Sequence, residues 1–80
     1  MSRILFFAQA RDAAGCGEIE WRNQGGETAG ILWDWLVCTF PDLGSVQAGA
    51  RLARNGHYLS DGETFGTEDE IAVIPPVSGG

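Results

Sequence analysis

The sequence contains no lysine, and it has only one histidine and two cysteines. Its five cationic side chains are all arginines, and eleven acidic residues give a formal net charge of −6 at pH 7. Because a negative surface repels the phosphate backbone, we do not expect a nucleic-acid ligand. The same charge favours encounters with basic protein surfaces.

Long apolar runs are also missing. No stretch approaches the roughly 20 apolar residues that a transmembrane helix needs. The apolar residues of the N-terminal segment 1–7 are soon followed by Arg11 and Asp12, and no small-residue cleavage site follows a sufficient apolar region, so we expect no secretory signal. The sequence therefore predicts a soluble, cytoplasmic protein without a membrane partner.

The cysteines and the histidine form no recognisable site. Cys16 and Cys38 are far apart in sequence and make no C-x-x-C pair, which argues against a metal site and against catalytic thiols. We expect Cys38 to be a small buried residue of a helix and Cys16 to lie partly exposed in a turn between two glycines. His57, beside a predicted hairpin turn, is expected at the surface. Since no phosphate-binding loop or Ser-His-Asp set is present either, the chain is not expected to be catalytic alone.

The 80 residues, of which 44% are apolar, predict a single small domain spanning residues 1–80. The apolar periodicity predicts several elements in sequence order. These are a strand over 4–8, a helical turn over 9–14 closed by Gly15, a strand over 18–22, a helix over 28–40, a short helical or irregular segment over 45–49, a hairpin around Asn55-Gly56 and a last strand over 71–74.

The helix over 28–40 is the main helix of the predicted fold. Thr28 is expected to cap its N-terminus and Pro41 to end it. One apolar face is expected to carry Ile31, Leu32, Trp35 and Leu36, widened by Trp33. Apolar residues fill the first and last strands without alternation, which predicts two neighbouring central strands buried on both faces. This order of elements predicts an α+β fold, in which one helix packs across a mixed sheet.

The sequence ends in Pro75, Pro76, Val77, Ser78, Gly79 and Gly80. Proline cannot continue a paired strand, and glycine without a Cβ can pass through a narrow channel. We therefore interpret residues 75–80 as a tail that holds a C-terminal carboxylate away from the body for chemistry on a partner.

Three segments carry a resemblance to a known family: residues 5–11 with Gly15, the helix with its closing Pro41, and residues 69–80 with the Pro-Pro-Val-Ser-Gly-Gly ending. Together they resemble the small, sulfur-carrying subunits of molybdopterin synthase. The resemblance covers essentially the whole chain and implies the ubiquitin-like β-grasp fold.

The resemblance also implies a chemistry for the tail. A separate activating enzyme would adenylate Gly80 with ATP, and a persulfide donor protein would then convert it to a thiocarboxylate. The tail, with Gly79, Ser78 and Val77 threading the channel, would donate its sulfur to cyclic pyranopterin monophosphate in the large subunit. This implies a heterotetrameric complex and no permanently bound cofactor or metal.

A partner interface is implied by position, at Phe7, Arg11, Tyr58, Leu59, Ile74 and Pro75. Core packing is the alternative for the apolar members. We expect Phe7 at the surface, because Phe6 and Phe7 point to opposite faces of a regular strand. Arg11 is equally well explained as a solvated side chain.

Two departures from the family pattern concern local geometry. Glu68 stands where glycine is common, so the turn before the last strand is expected to differ in shape. Arg54 replaces a β-branched residue, which suggests a more exposed edge strand.

Three alternative functions remain: a thiamin-type sulfur carrier, a ubiquitin-like protein modifier, and an interaction module with an inert tail. Without lysine, a modifier of this sequence could not build chains on its own side chains.

Overall fold

The computed structural model describes residues 1–60 and 62–75. Along the chain its elements are β1 (Ser2–Phe6), α1 (Ala8–Ala14), β2 (Glu18–Trp21), β3 (Glu27–Thr28), α2 (Ala29–Thr39), a 3-10 turn (Pro41–Leu43), α3 (Gly44–Gln47), β4 (Arg51–Arg54), β5 (His57–Tyr58), β6 (Thr64–Phe65) and β7 (Glu70–Ile74). The predicted elements are therefore present, with β3, β6 and the 3-10 turn in addition.

The main sheet has five strands in the order β2-β1-β7-β4-β5. β1 and β7 run parallel at its centre, with Ile4 opposite Ile71 and Phe6 opposite Val73, while the other neighbours are antiparallel. This confirms the prediction of a mixed sheet in which the first and last strands are neighbours. A crossover through α2 makes that parallel pairing possible, since parallel strands need a long connection.

The hydrophobic core lies between one face of this sheet and α2. Its largest fully buried side chains come from β1 and β7, from α2 and from the 3-10 turn: Ile4, Phe6, Ile71, Val73, Leu32, Leu36 and Leu43. β1 and β7 each alternate buried and less buried positions, as strands with one covered face do. The other face of the sheet is consequently left open. The prediction that the first and last strands are buried on both faces is therefore wrong, because only one face of each is covered.

The start of α2 confirms the predicted cap, because the Thr28 hydroxyl accepts a hydrogen bond from the Ile31 N–H at 3.4 Å. Leu32, Trp33 and Leu36 are buried as predicted. Ile31 is 51% exposed, so its assignment to the apolar face is wrong. With about 100° per residue, a stripe centred on Leu32 and Leu36 places Ile31 on the outer side.

Cys38 was predicted to be buried and is instead exposed. It follows Leu36 by two residues, which is about 200° around the helix axis. It therefore lies on the same outer side of α2 as Ile31. Cys16 is partly exposed, in agreement with the prediction.

The hairpin between β4 and β5 forms at the predicted dipeptide. Asn55 and Gly56 both have positive φ, 51° and 89°, which is the geometry of a type I′ turn. The expectation that Arg54 marks an edge strand is wrong, because β4 is paired on both sides by β7 and β5. Arg54 is half-buried, and its guanidinium lies 3.2 Å from the Glu63 carboxylate and donates to the Thr64 carbonyl at 2.8 Å.

Candidate functional site

The chain leaves the sheet at the C-terminal end of β7, where Pro75 is buried. Val77, Ser78, Gly79 and Gly80, for which the sequence predicts the chemistry, lie outside the described residues, as does Pro76. The surroundings of the last described strand are therefore the geometry from which a site can be built.

The open face of the sheet is divided into two halves. Strand alternation and register place the outward side chains of β1 and β7 side by side, with Leu5 opposite Ala72 and Arg3 opposite Glu70. We call the end near the N-terminus of β7 the charged half, formed by Arg3, Glu20 and Glu70 together with Glu18, which lies opposite Leu5 in the register but approaches Arg3 with its carboxylate. We call the end near the C-terminus of β7 the apolar half, formed by Leu5, Phe7, Ala53, Tyr58, Ala72 and Ile74.

The apolar half forms a shallow groove of about 390 Å³. Phe7 and Tyr58 are its most exposed members, at 49% and 59% of their surface, and Ile74 is half-buried. The prediction that Phe7 lies at the surface is confirmed. The chain turns sharply after Phe7, since Ala8 adopts a positive φ of 49° to begin α1, and Phe7 is left outside the core.

Not all of the predicted interface residues share this groove. Phe7, Tyr58 and Ile74 are brought together there. Leu59 is half-buried against the core and lines a second groove instead. Arg11 lies on α1 with its guanidinium near Gly17 and does not line this groove. Pro75 is buried and does not line it either.

Arg3, the one arginine of the charged half, is paired with acidic side chains of the same half. Arg3 forms an ion pair with Glu70, and its Nε lies 3.9 Å from a Glu18 oxygen. The hydrogen bond and the charge of Glu70, with a smaller contribution from Glu18, raise the pKa of Arg3. The remaining acidic side chains keep this half negative, so the open face combines an apolar end with an acidic end.

Sequence reasoning missed three members of the apolar half, Leu5, Ala53 and Ala72, and it missed Arg51 at its corner. These residues come together only through the register, in which Arg51 lies opposite Ile74 and Ala53 opposite both Ala72 and Tyr58. The alternation within each strand indicates which residues share a face of the sheet. It does not indicate which residues of strands distant in sequence lie opposite one another, so the sequence alone did not predict this cluster.

A hydrogen-bonded turn positions the start of β7. The Asp69 carboxylate accepts from the Gly66 N–H at 2.7 Å and from the Asn55 side-chain amide at 2.8 Å. Asn55 in turn accepts from the Glu70 N–H at 2.9 Å. Glu68 is not among the described residues with positive φ, so this turn does not use the glycine-type conformation, as expected from its sequence.

Asp69 gives this turn a pH dependence. The hydrogen bond from the Gly66 N–H, followed by that from Asn55, lowers the pKa of Asp69. Its stabilising effect is therefore complete above the unfolded-state pKa of about 3.9 and is lost as the pH falls through the lower, folded-state pKa. We expect Asp69→Asn to lower the free energy of unfolding at neutral pH, and the difference from the wild type to shrink as the pH is lowered through this range. Urea denaturation at a series of pH values measures both curves.

The matched control for this prediction is Glu68→Gln, which removes an exposed charge from the same turn. It should leave the free energy of unfolding nearly unchanged at neutral pH. A difference between Asp69→Asn and the wild type that stays constant from neutral to acid pH would contradict the assignment, because it would show that the carboxylate charge is not involved.

The other chemically interesting residues do not form a site. His57 is exposed at the hairpin, as predicted. Among residues 1–60 and 62–75, no group of three or more histidine, cysteine or acidic side chains is arranged to hold a metal ion. No helix in the described part of the chain is both long and apolar enough to cross a membrane.

The sequence is similar to known proteins over nearly its whole length. The family model described as the ThiS family matches residues 4–80. The molybdopterin synthase sulfur carrier subunit of Drosophila ananassae is 41% identical over 80 residues, covering 96% of this chain and 88% of the relative. That of Arabidopsis thaliana is 37% identical over 78 residues, covering 98% of this chain and 81% of the relative.

Solved structures with the same architecture were also found. SAMP1 from Haloferax volcanii, a small archaeal modifier protein, superimposes with a TM-score of 0.83 at 31% identity, covering 99% of this chain and 98% of that one. A putative molybdopterin converting factor subunit 1 from Pyrococcus furiosus gives a TM-score of 0.82 at 25% identity, with 95% and 97% covered. These ubiquitin-like neighbours confirm the predicted β-grasp fold.

Proposed function

The chain belongs to the ThiS family, and we propose that it is the sulfur carrier subunit of a molybdopterin synthase. The observation that carries this proposal is the likeness, at up to 41% identity over nearly the whole chain, to curated proteins of that name. The geometry is compatible with it. A carrier must present its C-terminus together with a surface that a partner can recognise, and the apolar half lies at the end of β7 from which the chain continues to Gly80.

The proposed chemistry takes place at the Gly80 carboxyl group. A carboxylate is a poor electrophile, so an activating enzyme joins it to AMP, with pyrophosphate leaving from ATP. A persulfide sulfur attacks the acyl carbon and displaces AMP, and cleavage of the resulting acyl disulfide by a thiol leaves a thiocarboxylate. The thiocarboxylate is ionised near neutral pH, and it is therefore nucleophilic without a neighbouring base.

The proposed partners follow from this sequence of steps. They are the adenylating enzyme, a persulfide donor protein, and the large subunit in which the thiocarboxylate gives its sulfur to cyclic pyranopterin monophosphate. The carrier holds no cofactor of its own and contributes the sulfur, while the large subunit supplies the active site. We expect the complex to be a heterotetramer in the cytoplasm.

The experiment that tests the proposal measures intact mass after incubation with ATP, a persulfide donor and an adenylating enzyme of molybdenum cofactor synthesis. The expected product carries the mass increase of one oxygen-to-sulfur exchange, and addition of the large subunit and the pterin substrate returns the carrier to its starting mass. An unchanged mass in the presence of an activating enzyme that loads a known carrier would contradict the proposal.

A second candidate function is that of a protein modifier, and the likeness to archaeal modifier proteins favours it. The first step is shared, but an amine of a target protein rather than a sulfur attacks the adenylate. Because this chain has no lysine, its conjugates would be single adducts rather than chains. Covalent adducts on other proteins, without the oxygen-to-sulfur exchange, would favour this function over that of a sulfur carrier.

A further inference from the structure

Arg51 forms a charged corner of the apolar half. Its backbone lies opposite Ile74 in the β4–β7 register, at the last pair before the chain leaves the sheet. Its guanidinium carbon lies 4.9 Å from the centre of the Tyr58 ring, a cation–π arrangement. The two side chains form a ridge, since Tyr58 lines the groove of the apolar half and both line the adjacent groove of about 630 Å³.

The charge of Arg51 is not neutralised by an ion pair within the described residues, as is also the case for Arg11 and Arg22, but Arg51 alone of these three lies at the corner of the apolar half. Two other arginines are neutralised within the chain, Arg3 by Glu70 and Arg54 by Glu63. Arg51 is exposed, and no carboxylate of the described residues forms an ion pair with it, although the chain has more than twice as many acidic as basic side chains. The aromatic ring holds the guanidinium in place without satisfying its hydrogen-bond donors.

Docking of a partner on the apolar half would remove water from this guanidinium. A cation that loses its hydration without gaining a counter-charge opposes binding strongly. An arginine that is already held by an aromatic ring loses less conformational entropy when it binds a carboxylate, and its planar fork matches both carboxylate oxygens. Arginine and tyrosine are also the residue types that dominate the energetics of interfaces.

We propose that Arg51 is a specificity-determining residue of the partner interface, and that it binds a carboxylate on the large subunit. The partner surface that fits this site is apolar opposite Phe7 and Ile74 and acidic opposite Arg51. This inference rests on the proposed function for the identity of the partner. The carboxylate is required by the charge and position of Arg51 in this chain.

The test compares Arg51→Met with Arg22→Met by titration calorimetry against the cognate large subunit. Methionine keeps an aliphatic side chain of similar length and removes the charge. Arg22 is an exposed arginine that follows β2, at the opposite edge of the sheet from β5, so its substitution changes the net charge equally. We expect Arg51→Met to raise Kd about 30-fold or more, the range for truncating one member of a desolvated charge pair. Arg22→Met should change Kd by no more than about twofold.

Arg51→Lys provides a further discrimination. It keeps the charge but loses the planar fork, so its Kd should lie between those of the wild type and Arg51→Met. Equal increases in Kd for Arg51→Met and Arg22→Met would overturn the inference, because they would show that binding depends on the net charge of the chain and not on the position of Arg51. An unchanged or lower Kd for Arg51→Met would also overturn it. A wild-type chain that does not bind the large subunit would instead reject the proposed function, and the inference with it. Melting curves of the variants identify any loss of binding that comes from unfolding.

Discussion

A chain that lacks Gly80 is expected to fold as the full chain does and to accept no sulfur. Among the described residues, the hydrophobic core is made of side chains between Ile4 and Val73, and the buried Pro75 is retained in the shortened chain, so the deletion should leave the free energy of unfolding unchanged. It moves the terminal carboxylate back to Gly79, by roughly 3.3–3.6 Å along an extended chain. A misplacement of about 1 Å can already reduce the rate about 100-fold, so loading should fall below detection.

Intact mass after the loading reaction measures this effect, and Ser78→Ala is the matched control because it alters the tail without changing its length. The control should gain the mass of one oxygen-to-sulfur exchange, and the deletion variant should not. If the shortened chain were loaded at a comparable rate, Gly80 would not be the acceptor. A lowered melting temperature of the shortened chain would contradict the expected folding and would show that Gly80 itself contributes to stability.

The elements that local signals specify were predictable from the sequence. Thr28 caps α2 through its own side chain, and Asn55-Gly56 supplies the two positive φ angles of its turn, so neither depends on distant residues. The neighbouring positions of β1 and β7 were predicted from their uninterrupted apolar runs and are confirmed, although only one face of each strand is buried rather than both. The resemblance to a known family then gave the β-grasp arrangement that these elements adopt.

Features that depend on contacts between distant segments were not predictable. Apolar residues occur nearly all around α2, so periodicity predicted the centre of its buried side but not the limits of that side, and Ile31 and Cys38 were wrongly assigned to it. The pairing of β3 with β6 joins two-residue strands that carry no periodicity of their own. The position of Arg51 at the corner of the apolar half was also not predicted, because it depends on the pairing of β4 with β7.

Phe6 and Phe7 are neighbours in sequence, but Phe6 is buried in the core and Phe7 is exposed on the open face. Replacing each of them tests whether the core side chain determines stability and the exposed side chain determines partner binding. Phe6 is 2% exposed, and its ring packs edge-on against Phe40 with 5.7 Å between ring centres. Phe6→Ala should reduce the free energy of unfolding by about 3–5 kcal/mol. A domain of this size has a stability of about 4–12 kcal/mol, so the variant is expected to be largely unfolded at the lower end of that range. Urea or thermal denaturation measures the change.

Phe7→Ala is the matched control, since it removes the same side chain from the next residue on the open face. Phe7 is 49% exposed, and its substitution should change the free energy of unfolding by less than about 1 kcal/mol. It should nevertheless weaken binding to the large subunit. The reason is that Phe7, which directly follows β1, contributes an exposed aromatic ring to the apolar half. Equal destabilisation by the two substitutions would contradict the described exposure of Phe7. A stable Phe7→Ala variant with unchanged affinity would instead show that the partner does not bind the apolar half, and since Arg51 is expected to bind at the same interface, its predicted effect should disappear as well.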